Sequence, residues 1–241
     1  MKPNFYNGAL RTFSAIAGLI TIAAAAGTRE AIEAKGSYHP VIDPSDFSTV
    51  VNNPYFPLVP GTTMIFSEKD GDDLLDRRVT VTHDTKMIIG VKCVVVREIV
   101  TEKGEVKEDT YDWFAQDKQG TVWYFGEATR EFESGGRIST EGSWEAGVNG
   151  LPGIIMPAHP VPGAPYRQEY SPNVGEDMGQ VVAENESVTV PFGSFTGCVR
   201  TKEWSMLESG TDKKWYAKGI GEIRAESARG EVMSLLSVKK E

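Results

Sequence analysis

The side chains best suited to chemistry gather around one stretch, Gly142 to Pro172, and its flanks. His159 stands in its middle, between Ala158 and Pro160; Glu145 comes before it, and Tyr166, Arg167 and Glu169 follow. A histidine beside carboxylates can pass protons at neutral pH, because imidazole is the side chain whose ordinary pKa lies there. Such a set suits a hydrolase or lyase, with His159 as acid or base and Glu145, Tyr166, Arg167 and Glu169 assisting. The same groups can ligate a divalent cation, since carboxylate oxygens suit calcium and His with carboxylate suits zinc. No spacing marks a resident metal site, so no metal ligand set and no cofactor are expected, and a cation remains an option. Trp144, Trp113, Trp123 and Tyr170 offer another chemistry, the wall of an apolar binding cavity. Each of these groups also has a structural role open to it: a surface histidine, an Arg167–Glu169 ion pair, a Trp144 plug, core aromatics.

Familiar catalytic strings are missing. There is no G-x-S-x-G, H-E-x-x-H, C-x-x-C, phosphate loop or dinucleotide fingerprint. Asp70, Asp72 and Asp73 lack the downstream acid that a calcium loop needs. Asp109, Asp112 and Asp117 straddle a strand and its turn. Alternation along a strand puts Thr110 and Asp112 on one face and Asp109 and Tyr111 on the other, so the three acids do not converge locally.

The elements that must position these groups are strands. Short runs rich in Val, Ile, Thr and aromatic residues recur from Thr62 onward, separated by turns such as Asp70-Gly71, Lys103-Gly104 and Asp117-Lys118-Gln119-Gly120. Helix signals are weak, the best being a short turn near Glu176 to Ala183. Before Thr62, the segment Asn53 to Pro60 places three prolines among apolar residues and reads as a rigid extended lead-in. Earlier still, Lys2 and Arg11 flank an apolar run, Thr12 to Ala26, ending in four alanines. That pattern predicts a signal peptide over 1–26, too short for a comfortable membrane span. Residues 27–46 then form a flexible lead, and 47–241 a single β domain.

An internal repeat organises that domain. Val79-Thr80-Val81, a strand holding Cys93, then Trp113-Phe114-Ala115 and Val122 to Glu127 recur as Val188-Thr189-Val190, Cys198, Trp215-Tyr216-Ala217 and Glu222 to Ala225. The units span about 62–140 and 180–241, joined by the Gly/Pro-rich segment 142–172. Two cysteines at matching places in an exported chain predict a disulfide between Cys93 and Cys198.

Asn53 to Thr62, Tyr111 to Glu127, Gly142 to Gly147 and Tyr216 to Gly221 (NPYFPLVPGT, YDWFAQDKQGTVWYFGE, GSWEAG, YAKGIG) resemble a family of exported bacterial hypothetical proteins. The resemblance covers nearly the whole chain after the signal segment. It implies no established activity and transfers no catalytic residue. The closing Tyr-Ala-x-Gly-Ile-Gly strand also resembles those that end antiparallel half-barrels of the lipoprotein-carrier type, an analogy of fold alone.

The expected fold is therefore all-β, with antiparallel meanders forming a sandwich or half-open barrel of two related repeats and the segment 142–172 lying across its mouth. Charge narrows the partners. The formal net charge is −9, and losing Lys2 and Arg11 with the signal segment makes it −11, with no concentrated basic stretch. Nucleic acid is thereby disfavoured. No membrane insertion is expected after signal cleavage, and the location is periplasmic or extracellular. The leading expectation is binding of a small apolar or amphipathic molecule. The alternatives are the His159 hydrolase or lyase and a structural protein without a ligand. No feature fixes an oligomeric state.

Overall fold

The computed structural model describes residues 38–70, 73–133 and 135–241. The expected signal peptide and most of the lead lie outside these residues, as do Gly71 and Asp72 of the first hairpin turn. The last residues of the lead are held against the sheet. Tyr38 donates its hydroxyl hydrogen to the Pro152 carbonyl at 2.8 Å, and its ring meets Tyr170 edge-on. A 3-10 turn, Pro44–Asp46, is capped by the Asp43 side chain.

Strands follow in chain order. After β1 (Phe47–Ser48) come β2 (Thr62–Asp70), β3 (Asp73–Ile88), β4 (Val91–Glu102), β5 (Glu105–Asp117) and β6 (Val122–Phe132). Short pieces follow: β7 (Ile138–Ser139), β8 (Trp144–Glu145), β9 (Leu151–Met156), β10 (Tyr166–Arg167) and β11 (Glu169–Tyr170). A second long series completes the chain: β12 (Asp177–Val190), β13 (Gly193–Ser205), β14 (Asp212–Ala217), β15 (Gly221–Glu226) and β16 (Val232–Lys240). Valine-rich alternation drives the long strands, and two-residue turns join β3 to β4, β4 to β5 and β12 to β13. Ile89-Gly90 and Lys103-Gly104 have φ of 41° and 84°, and 50° and 85°, the left-handed turn whose twist matches an antiparallel hairpin.

The fold is all-β, as expected, and its sheet is an almost closed antiparallel barrel. Around the wall the order is β10-β12-β13-β14-β15-β16-β2-β3-β4-β5-β6-β9-β11. The two ends of that path are neighbours in the chain. Tyr166 and Arg167 pair with Gly179 and Met178 of β12, while Glu169 and Tyr170 pair with Pro152 and Leu151 of β9. Gln168 sits between them, buried, and its backbone N–H donates to the Asp177 carbonyl at 2.9 Å. Residues 166–170 thus join both edges. The segment 142–172, expected to lie across the mouth, instead supplies β8 to β11 and the seam of the barrel. Its glycines permit this. A Cβ on Gly153 would fall 2.2 Å from the Gln168 carbonyl oxygen, so any larger residue would push the seam apart.

Two other expectations are corrected. Glu176 to Ala183 is no helical turn, because Asp177–Val190 pairs along β13 and sheet pairing overrides a weak local preference. Cys93 and Cys198 form no disulfide; both are buried free thiols. Cys93 packs in a cluster with Val91, Val94 and Phe125, and Cys198 packs in a second with Val190, Trp215 and Ile223. They sit on β4 and β13, six strands apart along the wall.

Two hairpins share local features of register, which do not establish that the chain is built of two repeats. Val94, next to Cys93, lies opposite Phe114, and Val199, next to Cys198, lies opposite Tyr216. The following hairpins, β5–β6 and β14–β15, each slip by one residue, leaving Phe125 and Ile223 as extra residues in β6 and β15.

Candidate functional site

Register builds the interior row by row. Met64, Val79, Glu98, Thr110 and Thr129 lie opposite one another across β2 to β6. The next row runs Val81, Val96, Asp112, Glu127, and another runs Phe66, Arg77, Val100, Glu108. Each row begins apolar and ends in acids or hydroxyls, so the inner face of β4 to β6 is polar where a core would ordinarily be aliphatic. From the opposite wall come Glu203 of β13, Lys214 and Tyr216 of β14 and Glu222 of β15, and the seam adds Gln168 and Glu169.

Members of these rows surround a cavity of about 180 Å³. Its lining is mixed: Phe56, Pro57, Leu58, Met64, Phe66 and Ile220 are apolar, and Phe66 lies directly opposite Arg77. The proline-rich lead-in supplies the first three. Asn53 pins it, donating from Nδ2 to the carbonyls of Gly120 and Pro157 at 2.9 and 3.0 Å. The Gly219 N–H binds the Pro54 carbonyl at 2.7 Å, closing the lead-in onto the β14–β15 turn.

The ionisable part of the lining is a network of buried ions. Arg77 donates to Glu68 Oε2 at 3.1 and 2.7 Å and also meets Glu98. Burial opposes its charge, but Glu98, Glu68 and Glu108 hold its pKa above the ordinary value. Lys214 Nζ lies 2.9 Å from Glu203 Oε2. Burial pulls this ammonium down as well, and Glu203 and Glu222 more than restore it. Glu203 also accepts from Thr201 at 2.8 Å and from the Tyr216 hydroxyl at 3.3 Å. Burial pushes its carboxyl up, yet Lys214 and these donors leave it below the usual range.

The remaining carboxyls are held up. Tyr124 donates to Asp112 Oδ1 at 2.6 Å. Burial, then Glu98, still push Asp112 up to about 7. Glu127, directly opposite, is raised well above its ordinary value by burial and then by Glu169 and Asp112. Glu169 accepts from the Trp144 indole at 2.7 Å and bonds Asp177. Burial and the Asp177 charge raise Glu169 strongly, and Asp177 is pushed up to about 6, chiefly by burial. Burial likewise puts Glu222 at about 7. Several carboxyls in one water-poor chamber therefore titrate between mild acid and neutrality, where each can donate or accept a hydrogen bond or a proton.

Of the residues expected from sequence, only Glu169 lines the cavity. His159 is exposed and has no side-chain hydrogen bond or ion pair among the described residues. Glu145 pairs with Lys86 at 2.7 Å, away from the chamber. Arg167 lies 4.0 Å from Glu176 and stacks on Tyr170, 4.6 Å from its ring centroid. The Arg167–Glu169 ion pair does not form; β10 and β11 face different partners. Tyr166 buries a hydroxyl without a partner beside Gly179 and Gln168. The constellation of His159 with Glu145, Tyr166, Arg167 and Glu169 is therefore not brought together. Among the aromatics, Trp113 lies under Lys86 Nζ, 3.4 Å from its ring centroid, and Trp123 donates to Asp117 at 2.8 Å in its turn. Neither faces the cavity. Trp144 is buried and reaches it only through Glu169.

The residues missed are Arg77, Glu98, Asp112, Glu203, Lys214 and Glu222. Alternation was the available signal: Glu108, Thr110, Asp112 and Phe114 share one face of β5 with the apolar Val94 and Val96 opposite. Among the described residues, no group of three or more His, Cys, Asp and Glu side chains is arranged to hold a metal ion.

Comparison with known proteins adds one likeness. No protein-family model matches the chain. No curated protein matches it either. A solved crystal structure of a candidate lipoprotein from Parabacteroides distasonis ATCC 8503 aligns with 77% of this chain and 98% of its own at 14% identity, with a TM-score of 0.37. That likeness transfers no site residue.

Proposed function

We propose that this chain is an exported binding protein that holds a small amphipathic molecule inside its barrel. The observation that carries this reading is the cavity, whose lining joins apolar residues such as Phe56 and Leu58 to many ionisable groups. A chamber of about 180 Å³ matches a compact ligand, a little larger than the roughly 150 Å³ void that accepts benzene in a dry core. The signal-like residues 12–26 support a location outside the cytoplasm. Native mass spectrometry of the purified protein, before and after organic extraction, tests the reading. A removable mass of a compact organic molecule is expected. Protein that carries none, and takes up no benzyl alcohol at millimolar concentration, overturns it.

A second reading is supported by Asp112 and Asp177, held at about 7 and 6 on the cavity wall. Carboxyls so placed can act as acid and base, making the chain a hydrolase or lyase that works without His159. Conversion of the extracted molecule on return to fresh protein, abolished in Asp112→Asn, would be its mark.

A further inference from the structure

The charges around the cavity do not balance. Six acids line it, Glu98, Asp112, Glu169, Asp177, Glu203 and Glu222, against two cations, Arg77 and Lys214. Both cations are engaged: Arg77 with Glu68 and Glu98, Lys214 with Glu203. Asp112, Glu169, Asp177 and Glu222 have no ion-pair partner among the described residues. Two of their oxygens, Asp177 Oδ1 and Glu222 Oε1, are cut off from solvent and accept no hydrogen bond.

A buried acceptor left unmade costs about 1–3 kcal/mol, and more for a charged group, so each marks a place where a donor belongs. The two are separate places: Asp177 lies opposite Ser205, whereas Glu222 lies opposite Tyr216, three strands away and six residues along the register. A donor carrying positive charge answers both an open acceptor and the acid excess. An anionic group would face the four unpaired acids with no free cation to receive it. A neutral hydroxyl would satisfy an acceptor and leave the protons that burial holds on these carboxyls in place, whereas an ammonium pairs with Glu222 in its ionised form. The aromatic faces of Phe56, Phe114, Tyr124 and Tyr216 line the same space and add the attraction of ring faces for a cation.

We infer that the ligand's polar head is an organic cation, an amine or ammonium carried on a short apolar body, received by Glu222, whose neighbour Gly221 lies against Pro57, with the body among Phe56 and Leu58. This inference rests on the binding reading above and narrows it to a chemical class.

Three compounds of nearly equal shape separate the possibilities in calorimetric titration of the purified protein at pH 7: benzylamine, benzyl alcohol and benzoate. Benzylamine is expected to bind at least about tenfold tighter than benzyl alcohol, the scale of one charge-assisted hydrogen bond, with benzoate weakest. Glu222→Gln and, separately, Glu222→Ala are expected to cut the amine-to-alcohol affinity ratio about tenfold. Near-UV circular dichroism checks that each variant keeps its tertiary packing, and two variants guard against one failing to fold. Equal affinity for amine and alcohol, or preference for benzoate, overturns the cationic head and leaves the binding reading intact. Binding of none of the three overturns both.

Discussion

Lys214 and Glu203 face each other across β14 and β13, Nζ to Oε2 at 2.9 Å, inside the wall of the barrel and out of reach of bulk water. Removing one partner of such a pair strands the other charge in a medium that solvates it poorly. Lys214→Met is expected to lower unfolding free energy by roughly 3–5 kcal/mol. The double variant Lys214→Met, Glu203→Gln should recover most of that loss. Urea unfolding of the four proteins of the cycle measures it, and full additivity would show that the pair does not interact.

Stability should fall as pH rises, the reverse of the usual acid sensitivity. Asp177, Asp112, Glu222 and Glu108 sit at about 6, 7, 7 and 8 in the folded chain, each raised chiefly by burial, against about 4 unfolded. The folded state then holds more protons than the unfolded one across that window, and ∂ΔG/∂pH is negative there. Glu203 and Asp109, held low, contribute the opposite slope only below about pH 4.5. The groups facing these carboxyls from neighbouring strands are Arg77, Glu98, Glu127, Glu131, Glu169 and Lys214. The urea midpoint is expected to be highest near pH 5 and to decline toward pH 8. Asp112→Asn should flatten that decline, raising the midpoint at pH 8 and changing it little at pH 5.

The thiols provide a clean count. Ellman's reagent should modify neither Cys93 nor Cys198 in the native protein, because both are buried and burial pushes the Cys93 thiol up to about 12. In guanidinium chloride both should react, and dithiothreitol should leave the thermal midpoint unchanged. Two thiols silent even when unfolded would restore the cross-link.

Gly153→Ala tests the seam. The added methyl would overlap the Gln168 carbonyl oxygen at 2.2 Å, a backbone atom that cannot rotate away. A loss of about 1–3 kcal/mol or more is expected, with faster amide exchange at Gln168 and Glu169 than at strands across the barrel. Exchange that speeds up evenly everywhere would show that the seam is not a separate unit.

The all-β architecture and most turns could be read from alternation and turn residues, and Asp112 was placed on the same face as Thr110. What hid the chamber was parity. Tyr124 faces inward, and counting by twos from it sends Glu127 outward; the extra residue Phe125 shifts the count, so Glu127 faces Asp112 instead. Ile223 does the same to β15 after Glu222. Acids such as Glu98 and Glu203 also look like a solvated face in a chain this acidic, because only the joining of distant strands puts them inside. The tryptophans misled for a related reason. Trp113 and Trp123 are large and lie in strands, but their neighbours Asp112, Phe114 and Tyr124 are the residues that turn toward the cavity. No local spacing could announce that 166–170 would hold both edges.

The pairing of β16 with β2 sets when the ring can finish. Lys240 lies opposite Thr62 and Val232 opposite Lys69, so contacts spanning well over a hundred residues are needed before the wall is continuous. Until β16 docks, β2 shows an open edge on that side. Such high contact order makes for slow, late closure of the wall.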